Sequence, residues 1–264
     1  MALLRKLVIG TTGIVSYFFT RYFMRTEVVG AERLRQYVLE DRKRGLLTIS
    51  NHTTPIDDPF LWGSLLPLGF LALRGTDLRW SLGAEDVVFR VRAFRPLFRA
   101  AQVISVTRGL GLWQPGIESA IERLRNKEWI HIFPEAYVNQ TGLMRPLRWG
   151  TARLIMEGNC PTVLPIWHLG LENVMPEKTL QIPRPGKRAR VIVGEPIDFE
   201  PLLRHHRHLG TSHEQTRAHI MLLLTETMLQ LQARAQRQGG VWDVPLPDTP
   251  RRTHPIETGT RPDI

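Results

Sequence analysis

The sequence predicts an α/β fold with a mostly parallel central sheet flanked by helices. Two observations carry that prediction. Five short apolar runs alternate with longer stretches of helical periodicity, and three of those runs stop at polar turns broken by proline or glycine. The chain has 264 residues, of which 42% are hydrophobic, enough to bury one sizeable core, so a single main domain is expected.

The elements follow in order. Residues 1–26 form a membrane-associating segment: the uncharged run LVIGTTGIVSYFFT lies between Lys6 and Arg21, with Arg5 before it and Arg25 after it. A spanning helix needs about 20 apolar residues, so the run reads as an interfacial helix, in preference to a core helix or an organelle-targeting segment. Residues 27–238 form the main domain. Within it, 31–44 is a polar helix, and 45–50 is a strand that ends in the turn SNHTTPIDDP. Pro59 to Leu66 is a short helix, with Asp58 placed to cap it and Pro59 to occupy its first position. Strands are expected at 101–106, 129–133, 162–167 and 188–193, and helices at 115–126, 148–157 and 211–236. In the first of these helices Ile117, Ala120, Ile121 and Leu124 share one face, and in the last Ile220, Leu223, Leu224, Thr227, Met228 and Leu231 do. From Gly239 to Ile264 the sequence is polar and proline-rich, the composition of a poorly ordered tail.

Charge narrows the partners. With 35 basic and 25 acidic residues the chain carries +10, which favours an anionic partner, either nucleic acid or an anionic membrane surface. No zinc-type cysteine spacing, helix-turn-helix signature or aromatic RNA-binding motif accompanies that charge, so nucleic acid is not an expected partner. The one cysteine, Cys160 in GNCPTVLP, permits no internal disulfide and reads as a small buried residue. His205, His206 and His208 in RHHRH suggest zinc by composition only; their spacing reads better as a solvated basic turn, and no metal is expected.

Ligand sites of α/β sheets gather beyond the carboxyl ends of the strands. Three expected strands end there in titratable or charged residues: His52 with Asp57, then Arg108, then Glu135. A histidine can take a proton from a hydroxyl, and a carboxylate on its other nitrogen fixes the tautomer and stabilises the imidazolium. In a continuous helix residues five apart diverge by about 140°, so the Pro55 turn is needed to bring His52 and Asp57 together. No G-x-S-x-G elbow is present, which argues against an acyl-enzyme and leaves the substrate's own hydroxyl as the attacking group. Arg108 offers a fork of donors suited to phosphate, and Glu135 could accept hydrogen bonds from substrate hydroxyls. Taken singly, each of these residues reads more naturally as structural: Asp57 as a cap, Arg108 and Glu135 as an ion pair. One shared rim explains all of them together. His168 in PIWHLG reads as a core residue or one packed behind that rim.

The blocks resemble a known family. His52-Thr53-Thr54-Pro55-Ile56-Asp57 is similar to the H-x-x-x-x-D block of the glycerolipid acyltransferases, Phe133-Pro134-Glu135 to their F-P-E-G block, and Leu164-Pro165-Ile166 to their later proline block. The longer stretches NHTTPIDDPFLWG, WIHIFPEAYVN, LRWGTARLIMEGN and VLPIWHLGLENVMP resemble the branch of that family that remodels cardiolipin by phospholipid–lysophospholipid transacylation. The resemblance runs from the N-terminal apolar segment to Pro196. It implies His52 as base, Asp57 as its partner, and Arg108 and Glu135 as substrate-binding residues. It also implies no cofactor, phospholipid and lysophospholipid substrates, and a place on mitochondrial membranes facing the intermembrane space. An acyl-CoA-dependent lysophospholipid or glycerol-phosphate acyltransferase would share the same blocks, and a non-catalytic basic lipid-binding protein would share the fold. One departure stands out: Ala136 occupies the family's glycine position, which is costly if the backbone there needs positive φ.

Overall fold

The computed structural model describes residues 2–177 and 182–237. The tail expected from Gly239 onward lies outside them. In chain order the elements are α1 (Ala2–Phe18), β1 (Arg25–Val29), α2 (Ala31–Leu39), β2 (Leu46–Ser50), α3 (Asp57–Leu65), α4 (Leu68–Leu73), β3 (Trp80–Ala84), α5 (Glu85–Val88), α6 (Arg95–Ala100) and β4 (Val103–Val106). There follow α7 (Pro115–Arg125), β5 (Trp129–Ile132), α8 (Gly150–Glu157), β6 (Thr162–Leu169), α9 (Leu171–Val174), β7 (Arg188–Val193), α10 (Glu200–His208) and α11 (His213–Arg237).

The strands form one seven-stranded sheet in the order β1-β7-β6-β2-β5-β3-β4. From β6 to β4 all neighbours are parallel; β7 reverses against β6, and β1 runs parallel to β7. β2 sits in the middle, and all of Leu46–Ser50 is buried, as a central parallel strand covered on both faces requires. Its alternating side chains feed two cores. Leu47 and Ile49 join Ile130, Ile132 and the buried faces of α7, α8 and α11. Leu46 joins Trp129, Leu164, Ile166 and the faces of α2, α3 and α4. The expected stripe of α7 is buried at Ile117, Ala120, Ile121 and Leu124, where each large aliphatic contributes about 1.5–3 kcal/mol. On α11 Ile220, Leu224, Met228 and Leu231 are buried, while Leu223 and Thr227 are half-buried at the edge of the stripe.

The five expected strands are all present, and the structure adds β1 and β3. β1, RTEVV, lies on the sheet edge with no residue fully buried, and its Glu27 pairs with Arg190 across the ladder at 2.8 Å. β3, WSLGA, buries only Ser81, and at Gly83 a side chain would collide with Val103 at 2.6 Å. β1 is too polar to read as an apolar run, and β3 offers only one short alternation, Trp80-Leu82-Ala84, with a glycine inside it, so pattern alone passes over both.

Three local expectations are corrected. The helix after β2 begins at Asp57, with Ile56 before it in the cap position making no side-chain cap bond, so Asp58 does not cap and Pro59 is not the first residue. Asp58 instead receives the guanidinium fork of Arg79, at 2.9 Å from Nε, and the indole N–H of Trp62 at 2.7 Å. RHHRH is not a turn but the last turn of α10, where basic side chains favour the negative helix end. His206 there bonds Thr211 at 2.7 Å and His219 at 2.9 Å, and no group of three potential metal ligands occurs among the described residues.

The N-terminal segment is longer than its uncharged run. α1 continues through a π-turn at Phe19–Phe23, giving 22 residues, about 33 Å at 1.5 Å per residue, that by length and composition could cross a membrane. One narrow face, Ile9, Gly10, Gly13 and Ser16, is buried against α3 and α4. The crossing is close enough that a side chain at Gly63 would meet the Ser16 carbonyl carbon at 2.5 Å. Leu3, Leu7, Val15, Tyr22 and Phe23 remain exposed.

Candidate active site

The residues at the end of β2 are fixed before any substrate is considered. Asn51 is clasped to β6: its amide donates to the His168 carbonyl, and its side-chain oxygen accepts from the His168 N–H, both at 2.9 Å. The chain then turns through Thr53-Thr54-Pro55 and enters α3 at Asp57, whose carboxylate points back into the turn. Oδ2 accepts the backbone N–H of Thr53 at 2.5 Å and of Thr54 at 2.9 Å, and Oδ1 accepts the Thr54 hydroxyl at 2.6 Å. His52 Nδ1 donates to Oδ2 at 2.9 Å. The separation of five residues is thus closed by the turn, as the spacing predicts.

Electrostatics sets the protonation states. Burial opposes a charge on Asp57, but the charges of His168 and His52 and the hydrogen bonds of His52 and Thr54 outweigh it and hold its pKa below the usual carboxylate value. With Nδ1 of His52 held by that carboxylate, Nε2 is the ring nitrogen that carries the lone pair. The His52 side chain keeps 18% of its surface open while Asp57 has none. Behind the pair, His168 Nε2 donates to the Asn51 carbonyl at 2.9 Å and lies 3.5 Å from Asp57 Oδ2, so it backs the carboxylate from the buried side.

β5 delivers the second part of the site. The Phe133 ring stacks on the His52 ring with centroids 4.0 Å apart. A tight turn follows, closed by the Ala136 N–H to the Phe133 carbonyl at 2.9 Å. Ala136 has φ of 63°, so the position does take the left-handed conformation that favours glycine, and the loop keeps its shape at the cost of about 1 kcal/mol. Glu135 is buried, and its Oε2 accepts the Asn139 amide at 2.8 Å and the Arg145 N–H at 3.0 Å. Those protein donors make it the clasp of its own loop. The Asn139 N–H closes the circuit by donating to the His52 carbonyl at 2.7 Å.

β4 delivers the third part, more loosely. Gln114 ties the loop by accepting from the Thr107 N–H at 2.8 Å and donating to the Gly111 carbonyl at 2.7 Å. Arg108 reaches across to the β5 loop, with Nη2 3.4 Å from the Ala136 carbonyl and its guanidinium 4.5 Å from the Tyr137 ring centre, and it pairs with Asp86 at 3.0 Å. The structure therefore brings all four expected residues, His52, Asp57, Arg108 and Glu135, to one rim. β2 leads through α3 on one face and β5 through α8 on the other, so this rim lies at the point where neighbouring connections part, the usual ligand position of such sheets. A separate cavity of about 600 Å³ opens beside Thr20, Arg21, Arg25, Glu27 and Arg35, away from His52.

Sequence reasoning passed over Asn51, Thr54 and Asn139 as working parts of the site, because amides and hydroxyls carry no pattern until the fold pairs them, and it gave Phe133 only as part of a block, with no role.

Residues 25–169, which hold all four rim residues, match the model of the Acyltransferase family. The chain belongs to the acyltransferase family. It is similar to an N-acylphosphatidylethanolamine synthase of Arabidopsis thaliana, 43% identical over 59% of this chain and 56% of that protein. It is also similar to tafazzin of Drosophila melanogaster, 34% identical over 75% of this chain and 52% of that protein. The chain spans about half the length of the curated relatives it matches. Its fold is similar to that of the 1-acyl-sn-glycerophosphate acyltransferase of Thermotoga maritima, with a TM-score of 0.57, 18% identity, and 87% of this chain and 80% of that one covered. For an acyltransferase-family chain the open nitrogen of His52, backed by a buried carboxylate, is the feature that could move a proton.

Proposed function

We propose that this chain is a CoA-independent phospholipid–lysophospholipid transacylase that exchanges acyl chains with cardiolipin species. The observation that carries the reading is the 2.9 Å pair between His52 Nδ1 and a wholly buried Asp57, with Nε2 left to act as base. His52 Nε2 removes the proton of a lysophospholipid hydroxyl as its oxygen attacks the ester carbonyl of a donor phospholipid. The tetrahedral intermediate collapses, the donor's alkoxide leaves, and the imidazolium returns the proton to it. Atoms and protons balance without a protein nucleophile. Asp57 stabilises the imidazolium, Arg108 binds a headgroup phosphate, and Glu135 contributes to substrate binding from the loop it closes.

The tafazzin relatives support the choice of donor and acceptor, and the exposed apolar side chains of α1 beside Arg21 and Arg25 support docking on an anionic membrane. The same reading puts the chain on mitochondrial membranes facing the intermembrane space. A second reading has its own observation: the plant relative named as an N-acylphosphatidylethanolamine synthase shares 43% identity, and the same base would serve an amine acceptor.

The test incubates purified protein with labelled-acyl phosphatidylcholine and vesicles that hold either monolysocardiolipin or phosphatidylethanolamine, with and without acyl-CoA. Label entering cardiolipin without CoA is the expected result. Label entering the ethanolamine lipid as an amide favours the second reading. Transfer only from labelled acyl-CoA rejects the transacylase in favour of a CoA-dependent enzyme, and no transfer from either donor favours a lipid-binding protein.

A further inference from the structure

Tyr137 lies between two residues that are both fastened to His52, the stacked Phe133 and the hydrogen-bonded Asn139. Its ring is surrounded by three guanidinium groups: Arg108 at 4.5 Å, Arg145 at 5.5 Å and Arg148 at 5.8 Å from the ring centre. Arg145 and Arg148 therefore both lie within 5.8 Å of one ring centre. Three like charges gathered on one ring add up to a local positive potential that favours an anionic ligand. The protein itself neutralises little of this. Arg108 has Asp86, but among the described residues neither Arg145 nor Arg148 has a carboxylate within ion-pairing distance. Glu135 spends Oε2 on Asn139 and on the backbone of Arg145. Even with both acids counted, three cations face two anions.

A second observation says what kind of anion fits. The loops that carry these arginines also expose large apolar side chains: Leu110 at 56% and Trp113 at 67% beside Arg108, Leu143 at 51% and Trp149 at 40% beside Arg145 and Arg148. Guanidiniums interleaved with exposed indoles and leucines suit the headgroup level of a bilayer, where a free phosphate would leave the apolar groups in water.

We propose that Arg145 and Arg148, gathered with Arg108 round Tyr137, form a seat for the two phosphates of a diphosphate lipid headgroup and so select that acceptor over zwitterionic lysophospholipids. This rests on the lipid acyl-transfer reading above and extends it to headgroup choice. Each unpaired fork can give one phosphodiester a charge-assisted, two-point contact, which a single-phosphate headgroup cannot use twice.

The test measures binding without any acyl donor, so its failure is distinguishable from failure of the transfer reaction. Calorimetric titration of the full chain compares three soluble probes: the fully deacylated, diphosphate headgroup of cardiolipin, glycerophosphocholine and inorganic phosphate. The diphosphate probe is expected to bind at least about tenfold tighter than the other two. The variant carrying both Arg145→Gln and Arg148→Gln is expected to lose that preference with its thermal midpoint unchanged, both residues being exposed. Equal affinity for inorganic phosphate, no binding of the diphosphate probe, or an undiminished preference in the variant each overturns the proposal.

Discussion

Phe133 touches two histidine rings, stacked on His52 at 4.0 Å and edge-on to His131 at 4.7 Å. The two histidines stand at neighbouring strands, yet their surroundings assign them opposite work. His52 faces a carboxylate with one nitrogen and keeps part of its surface open. His131 is wholly buried among hydroxyls and an indole: the Thr48 hydroxyl, which itself accepts from Trp129 at 2.9 Å, donates to Nδ1 at 2.9 Å, and Ser50 lies 3.4 Å from Nε2. Burial pushes the His131 pKa down to about 3, against the raising effect of Asp58. A histidine held neutral by burial is packing material, whereas one backed by a buried carboxylate can accept and return a proton. Asp57 and Asp58 divide in the same way, the first turned to His52 and the second locked by Arg79 beneath Trp62.

The largest effect should come from the carboxylate. Asp57→Asn should lower transfer per folded molecule by roughly 10²- to 10⁴-fold, because an amide neither fixes the Nδ1 proton nor stabilises the imidazolium. It should also lower unfolding stability by about 1–3 kcal/mol, since Asp57 accepts bonds from Thr53 and Thr54 inside the turn. Chemical denaturation beside the assay separates the two losses, and a variant that keeps its activity erases the contrast between the histidines.

His131 should answer to pH instead. The unfolded chain takes up its proton below about 6.5 while the folded chain refuses it until about 3. Its contribution to stability is therefore complete above pH 6.5 and lost as pH falls through that window, at up to about 1.4 kcal/mol per pH unit. His131→Gln should flatten this part of the stability curve in denaturation measured from pH 7 to pH 4. An unchanged slope would mean that His131 is not the group responsible.

Arg108→Gln tests the open side of the rim. It should raise the KM for lipid about tenfold with little change in the thermal midpoint, because the side chain is partly exposed and its partner Asp86 lies at the surface. A fall in stability with unaltered substrate dependence would make Arg108 a structural tie between the β4 and β5 loops. The smallest effect concerns the turn itself: Ala136→Gly removes the positive-φ penalty and should stabilise by about 1 kcal/mol, or about 2–4 °C in thermal midpoint. No gain would show the turn to be relaxed with alanine in place.

Much of this was legible in the sequence because it depends on periodicity and on punctuation. Gly45–Ser50 is a largely apolar run and Arg188–Val193 ends in the β-branched run Val191-Ile192-Val193, and Pro55, Gly109 and Pro134 mark where strands stop, which placed His52, Arg108 and Glu135 at one edge. What stayed hidden depends on tertiary pairing. Edge strand β1 is mostly polar, the alternation of β3 is short and holds a glycine, and the helical state of RHHRH comes from α10 as a whole. His131 looked like any strand residue until Thr48 and Trp62 enclosed it. Nor could Asp57 and Asp58 be told apart, since adjacent letters separate only when Arg79, 21 residues further on, folds against one of them.

The most direct test of the account is the paired replacement of the two histidines, with acyl transfer from labelled phosphatidylcholine to monolysocardiolipin measured per folded molecule beside thermal unfolding. His52→Ala is expected to fall to background transfer with its midpoint close to the parent's. His131→Ala is expected to keep turnover in whatever fraction stays folded while losing about 3 kcal/mol of stability. Transfer near the parent level in His52→Ala would contradict the claim that this side chain is the base.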